Sequence, residues 1–90
     1  MTRIVKFNKT EIENLPNNKP VVYKIITGGG RINYIGVAQR GRVLDRLNEH
    51  LGNIPGTKIK IEQMNSISEA RKKEIEIISR TQPKYNNQSK

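Results

Sequence analysis

The stretch from Val21 to Gly36, VVYKIITGGGRINYIG, constrains the fold more than any other part of this chain. β-Branched residues crowd both arms (Val21, Val22, Ile25, Ile26 and Thr27; Ile32 and Ile35), and the glycines between them permit the positive φ of a tight turn. The pattern predicts a β-hairpin. A turn of two residues at Gly28-Gly29, or of four from Thr27 to Gly30, places Tyr23 directly opposite Tyr34, and cross-strand partners share one face. A three-residue loop separates them unless a bulge restores the register. Only three tyrosines and one phenylalanine are present. Two phenols in one patch therefore concentrate groups that pack, hydrogen-bond and transfer protons.

The remaining elements follow from periodicity. TRIVKF reads as a short extended arm, and Asn8 or Thr10 caps a single helical turn, TEIENL. Pro16 to Pro20 is a turn-rich connector into the hairpin. From Arg42 to Leu51, Val43, Leu44, Leu47 and Leu51 form one helical stripe that Gly52 ends. Thr57 to Met64 alternates, with Ile59 and Ile61 on one side and Lys58, Lys60 and Glu62 on the other. A longer helix starts near Ser66 or Ser68, with Ser66 and Glu69 as a capping box, and stops before Pro83. The polar tail from Tyr85 is expected to fray after one or two residues. The expected fold is α+β: a small three-stranded antiparallel sheet flanked by helices, ordered β-β-α-β-α after a short N-terminal arm. It forms a single domain over residues 1–90, with its core in about 15–86.

At 90 residues and 33% hydrophobic, the chain supports one small, aliphatic core. The absence of cysteine excludes disulfides and thiolate metal sites. The opening MTRIVKFNKT has no apolar run long enough for a signal peptide or a membrane span, so a cytoplasmic protein without a membrane partner is expected. Seventeen Lys and Arg against eight Asp and Glu give a net charge of +9. That balance points to a polyanion, most commonly nucleic acid, against the plainer reading of a well-solvated basic surface.

One carboxylate stands apart. On the wheel of the long helix, Glu74 falls in the middle of the apolar stripe of Ile67, Ala70, Ile77, Ile78 and Thr81, while Glu69 and Glu76 lie on the far side. A carboxylate aimed at a core is costly unless it is paired, hydrogen-bonded or bound to a cation. It is either half of a buried salt bridge or an oxygen ligand for a divalent metal at the floor of a cleft. On the shorter helix Arg42, Arg46 and His50 form one row beside the apolar stripe. They are phosphate contacts, a catalytic edge, or ordinary border residues.

In order along the chain, these residues resemble the GIY-YIG nuclease superfamily. The paired tyrosine motifs match VVY and NYIG, with Val21 and Val22 where Gly-Ile is expected. The family's helix arginine, followed four residues later by histidine, matches Arg46 and His50 in LDRLNEHL. The later Ala-x3-Glu and Lys-Pro-x-Tyr-Asn elements match EARKKEIEIISRTQPKYN, aligning Ala70, Glu74 and Asn86 with Gln82 in place of lysine. Glu74 and Asn86 are separated as in the nuclease domain of the bacterial excision-repair system. Two further departures are a longer loop after Gly36, which leaves Arg42 or Arg46 as the active arginine, and Val37 where relatives carry lysine or serine.

The resemblance implies a DNA endonuclease with one Mg²⁺ or Mn²⁺ held by Glu74. Arg46 neutralises the scissile phosphate, Tyr23 activates or orients water, and Tyr34 and His50 hold phosphate, water or Tyr23. Gly36, Arg40, Arg42 and Asn86 belong to substrate binding, Arg40 standing in for the phosphate-side polar group that Val37 lacks and Asn86 bracing the site. A free phenol titrates near 10, so base catalysis by Tyr23 needs nearby positive charge. The implied partner is DNA, with selectivity expected from DNA shape, a homodimer or a recruiting protein. The alternative is a non-catalytic nucleic-acid-binding module on the same fold.

Overall fold

The computed structural model describes residues 2–83, 85 and 86. Its elements are β1 (Thr2–Lys6), α1 (Lys9–Glu13), β2 (Val21–Ile26), β3 (Ile32–Ala38), α2 (Val43–His50), β4 (Lys58–Gln63) and α3 (Ile67–Thr81). The four strands form one antiparallel sheet in the order β1-β4-β2-β3. The α+β class is as expected, but the sheet has one strand more. The extended arm is that strand: β1 pairs with β4 along its length, from Thr2 opposite Glu62 to Lys6 opposite Lys58. As an edge strand it is held by backbone pairing, and only Val5 within it is half-buried. Side-chain alternation, the signal used for the other strands, is therefore nearly absent.

Alternating strand residues build a core on each face. On one face Val21, Tyr23, Ile25, Ala38, Ile59 and Ile61 meet Ile12 of α1 and Val43 and Leu47 of α2. On the other, Val22 and Ile35 meet Ala70 and Ile77 of α3. Each fully buried Leu or Ile contributes roughly 1.5–3 kcal/mol, and the two clusters clamp α2 and α3 to opposite sides of the sheet.

Local capping fixes where these helices start. Asn8 accepts a hydrogen bond from the Glu11 N–H at 2.8 Å, and Ser66 accepts one from the Glu69 N–H at 3.2 Å. Glu69 reaches back to the Asn65 N–H at 3.3 Å, one residue before the expected capping-box partner. α2 has no side-chain cap of its own; Asn17, from the connector, accepts the Val43 N–H at 2.9 Å. α3 ends on Gln82, whose φ of 44° turns the chain out before Pro83. The part of the tail expected to fray lies outside the described residues, and Asn86, within its first two residues, is held against the sheet.

The hairpin register differs from the expected one by an identifiable route. Thr27 and Arg31 close a loop of the three glycines, with Gly30 at φ 89°. A bulge then leaves Asn33 without a partner, since Ile26 faces Ile32 while Ile25 faces Tyr34. Tyr23 consequently faces Gly36, and Tyr34 is its diagonal neighbour. The two shifts together preserve parity, so both phenols remain on the face covered by α2. The bulged Asn33 is itself buried, and its amide donates to the Pro55 carbonyl at 2.8 Å.

Candidate active site at the end of β3

Tyr23 is completely buried, and its ring lies across Gly36. A Cβ at Gly36 would stand 2.5 Å from the phenol oxygen and 2.6 Å from Cζ, so only glycine admits the ring here. The Tyr23 hydroxyl lies 2.7 Å from Nε2 of His50, at the last position of α2. Tyr34 completes an aromatic trio, its ring centroid 4.7 Å from His50 and 6.2 Å from Tyr23.

The electrostatics of the pair are complementary. Burial raises the Tyr23 phenol above its ordinary value, Tyr34 adds to that, and Arg46 opposes it. Burial lowers the His50 imidazole, and Arg46 lowers it further against Glu49. Tyr23 is thus a neutral phenol and His50 a neutral imidazole at pH 7. With the imidazole proton on Nδ1, the phenol O–H donates to Nε2 and the phenol oxygen keeps lone pairs for another donor.

Beside this trio, the end of β3 opens into a cavity of about 440 Å³ between α2 and α3. Val37, Ala38 and Gln39 form its floor, Arg42 and Arg46 of α2 one wall, and Ile67, Arg71 and Glu74 of α3 the other. β3 is an edge strand, so helices on opposite faces both reach around its free side. Glu74 is half-buried, as its place in the apolar stripe predicts. Burial raises its carboxyl, with Arg71 and then Arg46 pulling it back. Among the described residues no ion pair reaches Glu74. The salt-bridge alternative is therefore not realised, and the carboxylate faces open space.

Arg46 links the two halves, since its charge acts on Tyr23, His50 and Glu74 alike. It is half-buried and reaches Glu49 at 3.8 Å. Arg42 also lines the cavity but is more exposed and pairs with Asp45 at 3.5 Å. Of the two candidate arginines, Arg46 is the one beside the phenol. Arg40 is exposed on the turn after Gln39 and does not line the cavity. Asn86 accepts the Ile35 N–H at 2.9 Å and donates to the Ile35 carbonyl at 2.8 Å. Its amide thus pairs with the free edge of β3 between Tyr34 and Gly36, a bracing position rather than a substrate-facing one.

Arg71 and Gln39 were not singled out from sequence. Arg71 lies three residues before Glu74 and shares its helical face, a signal available from the same wheel. Gln39 is placed by the turn from Gln39 to Arg42, whose Gly41 N–H bonds to the Asn17 carbonyl at 2.9 Å, and no local pattern announces that.

Among the described residues no group of three His, Cys, Asp or Glu side chains converges as a metal cage. Zinc, with its closed set of nitrogen and sulfur ligands, does not fit. Mg²⁺ does, because it keeps several waters and takes one or two carboxylates together with substrate phosphate oxygens. A lone, unpaired Glu74 on a roomy cavity is such a donor set. No protein-family model, curated protein or solved structure matches this chain. No helix among the described residues is long and apolar enough to cross a membrane.

Proposed function

We propose that this chain is a divalent-metal-dependent endonuclease of the GIY-YIG type, hydrolysing DNA phosphodiester bonds at the end of β3. The supporting observation is convergence: a half-buried carboxylate without an ion-pair partner among the described residues lines one cavity with three arginines, and one of those arginines also acts on a tyrosine–histidine hydrogen bond. Phosphodiester hydrolysis needs positive charge for the phosphate, an oriented water, and stabilisation of the leaving oxygen.

In this reading the Arg46 fork donates to the non-bridging phosphate oxygens, with Arg42 and Arg71 adding charge around them. Tyr23 is buried beside the cavity rather than lining it, so in this reading the attacking water must reach the phenol from the cavity, where it gives a hydrogen to the lone pairs left free by the bond to His50. As the water oxygen bonds to phosphorus, its proton passes to the phenol oxygen and the phenol's own proton passes to Nε2 of His50. The P–O3′ bond breaks, the leaving 3′-oxygen takes a proton from solvent, and the imidazole, left protonated, returns its proton to solvent. No standing phenolate is required, which agrees with a phenol whose burial disfavours ionisation. A Mg²⁺ or Mn²⁺ ion held by Glu74 supplies, when bound, charge stabilisation at the leaving 3′-oxygen. Tyr34 packs on His50 and keeps the imidazole against Tyr23. Asn86 holds the β3 edge on which both tyrosine contacts depend.

The test is cleavage of plasmid DNA with Mg²⁺ or Mn²⁺, with EDTA and a Glu74→Gln variant as controls. The variant is expected to lose about 100- to 1,000-fold in rate, the scale of removing one main charge stabiliser, while DNA affinity is kept. A clean wild-type preparation that binds DNA but cuts nothing with either metal supports the binding-module alternative instead.

A further inference from the structure

α3 packs against β3 and β2, leaving the same face of β4 and β1 without a covering helix. Strand register assigns the side chains of that open face. Lys24 of β2 stands directly opposite Lys60 of β4, and Lys58 of β4 stands directly opposite Lys6 of β1. Ile4, opposite Lys60, is 58% exposed among them. Of the acidic groups near this cluster, Glu62 of β4 is already taken by Lys73 of α3 at 2.9 Å, and Glu11 of α1 lines a cleft with Lys6 and Lys58 at its outer end. Among the described residues no ion pair reaches Lys6, Lys24, Lys58 or Lys60.

Like charges placed directly across a strand pair destabilise a sheet. Lysines are common on edge strands, where they block strand-to-strand aggregation. That explanation does not reach Lys24 and Lys60, because β2 and β4 are the two inner strands. The Lys24 ammonium is held below its ordinary value by burial and then by Lys60 and Lys73, so the repulsion is present in the fold. An external polyanion relieves it.

We propose that this open face, centred on Lys24 and Lys60, is a second contact surface for the phosphate backbone of nucleic acid, distinct from the cavity lined by Glu74. The proposal rests on nucleic acid being the partner but not on any cleavage. It gives a chain of this size a way to grip DNA outside the reacting phosphate, in a manner independent of base sequence.

The experiment is the salt dependence of binding to a labelled random-sequence duplex, by fluorescence anisotropy in EDTA, for wild type and Lys24→Gln/Lys60→Gln. A charge-matched control, Lys9→Gln/Lys19→Gln, removes two exposed lysines from α1 and the connector. Removing one lysine–phosphate pairing lowers the slope of log affinity against log salt by about 0.9, so the inner pair should lower it by about 2 and weaken binding roughly tenfold or more at physiological salt. The control should change both much less. The inner-pair variant should also melt about 2–4 °C higher than wild type at low salt, as cross-strand repulsion is removed, and this difference should shrink at high salt. Equal effects from both pairs, or an unchanged slope for the inner pair, overturn the proposal while leaving the nuclease reading intact. Unchanged DNA binding with loss of polyglutamate binding overturns it in favour of an acidic protein partner. A wild type that binds no duplex overturns the nucleic-acid reading as well, and one that binds without cutting overturns only the nuclease reading.

Discussion

The two faces of the sheet handle polar groups in opposite ways. Under α2, the polar atoms of Tyr23 and His50 are drawn into an aliphatic core and satisfy each other at 2.7 Å. On the α3 side, Lys24 and Lys60 confront each other across the inner strands with no anionic partner among the described residues. A buried hydrogen bond offsets its own desolvation, whereas a like-charge pair is relieved only by opposite charge, which Glu62 supplies in part at Lys24 and an external anion supplies further. The first arrangement suits chemistry and the second suits adhesion. Glu74 sits where the two sides meet, a carboxylate without an ion-pair partner among the described residues.

The sharpest way to break this comparison is to remove the single atom on which the α2 side depends. Tyr23→Phe keeps the ring on Gly36 but deletes the hydroxyl, and cleavage should fall by about 100-fold or more, measured as initial rate at saturating DNA. Stability should change by no more than about 1–2 kcal/mol. An undiminished rate would show that the buried pair is only structural.

Next comes the close approach that admits the ring. Gly36→Ala forces a methyl into the Tyr23 phenol, and over-packing of this kind costs about 1–3 kcal/mol. Thermal unfolding should show a Tm lower by roughly 5 °C or more, with a loss of rate that persists well below the melting range. Asn86→Ala is expected to be milder. It removes two hydrogen bonds to Ile35, costing about 1–2 kcal/mol in denaturant titration.

Reading these features from sequence succeeded where one element carries the information. Glu74 is visible because a single helix wheel places it among Ile67, Ala70 and Ile77, and its half-burial on the cavity follows. The hairpin was legible in face but not in register. The triple glycine offers several loops, and the bulge is held by Asn33 bonding to Pro55, far along the chain. β1 was visible only as an extended arm, since backbone pairing leaves no trace in an edge strand's side chains. The cap that Asn17 gives α2 and the placement of Gln39 depend on contacts between distant segments. Arg71 needs no such contact, since the same helix wheel places it three residues before Glu74 on the border of the apolar stripe.

The smallest expected effect is titration of the α2 side. The folded-state value of His50 lies below its ordinary 6.5, so the unfolded chain binds the proton more readily. His50 therefore lowers stability as pH falls through 6.5 towards the folded value, and the penalty is fully present below that value. Relative to His50→Gln, wild type should lose stability over this window, seen as converging Tm values on acidification. The cleavage rate should show an acid limb in the same range, where protonated His50 cannot accept the phenol proton, and the variant should lack that limb. Glu74 has the reverse sign: its carboxyl is raised, so its penalty is absent below 4.5 and grows as pH rises through the folded value.

The central claim is that Glu74 is left unpaired because its partner is a cation delivered with DNA. Titrating Mn²⁺ by electron paramagnetic resonance into the complex with a non-hydrolysable duplex tests it without relying on turnover. Wild type should bind one ion per active site and Glu74→Gln should bind none there, with duplex affinity in EDTA unchanged. Equal Mn²⁺ binding by the two proteins would contradict the account.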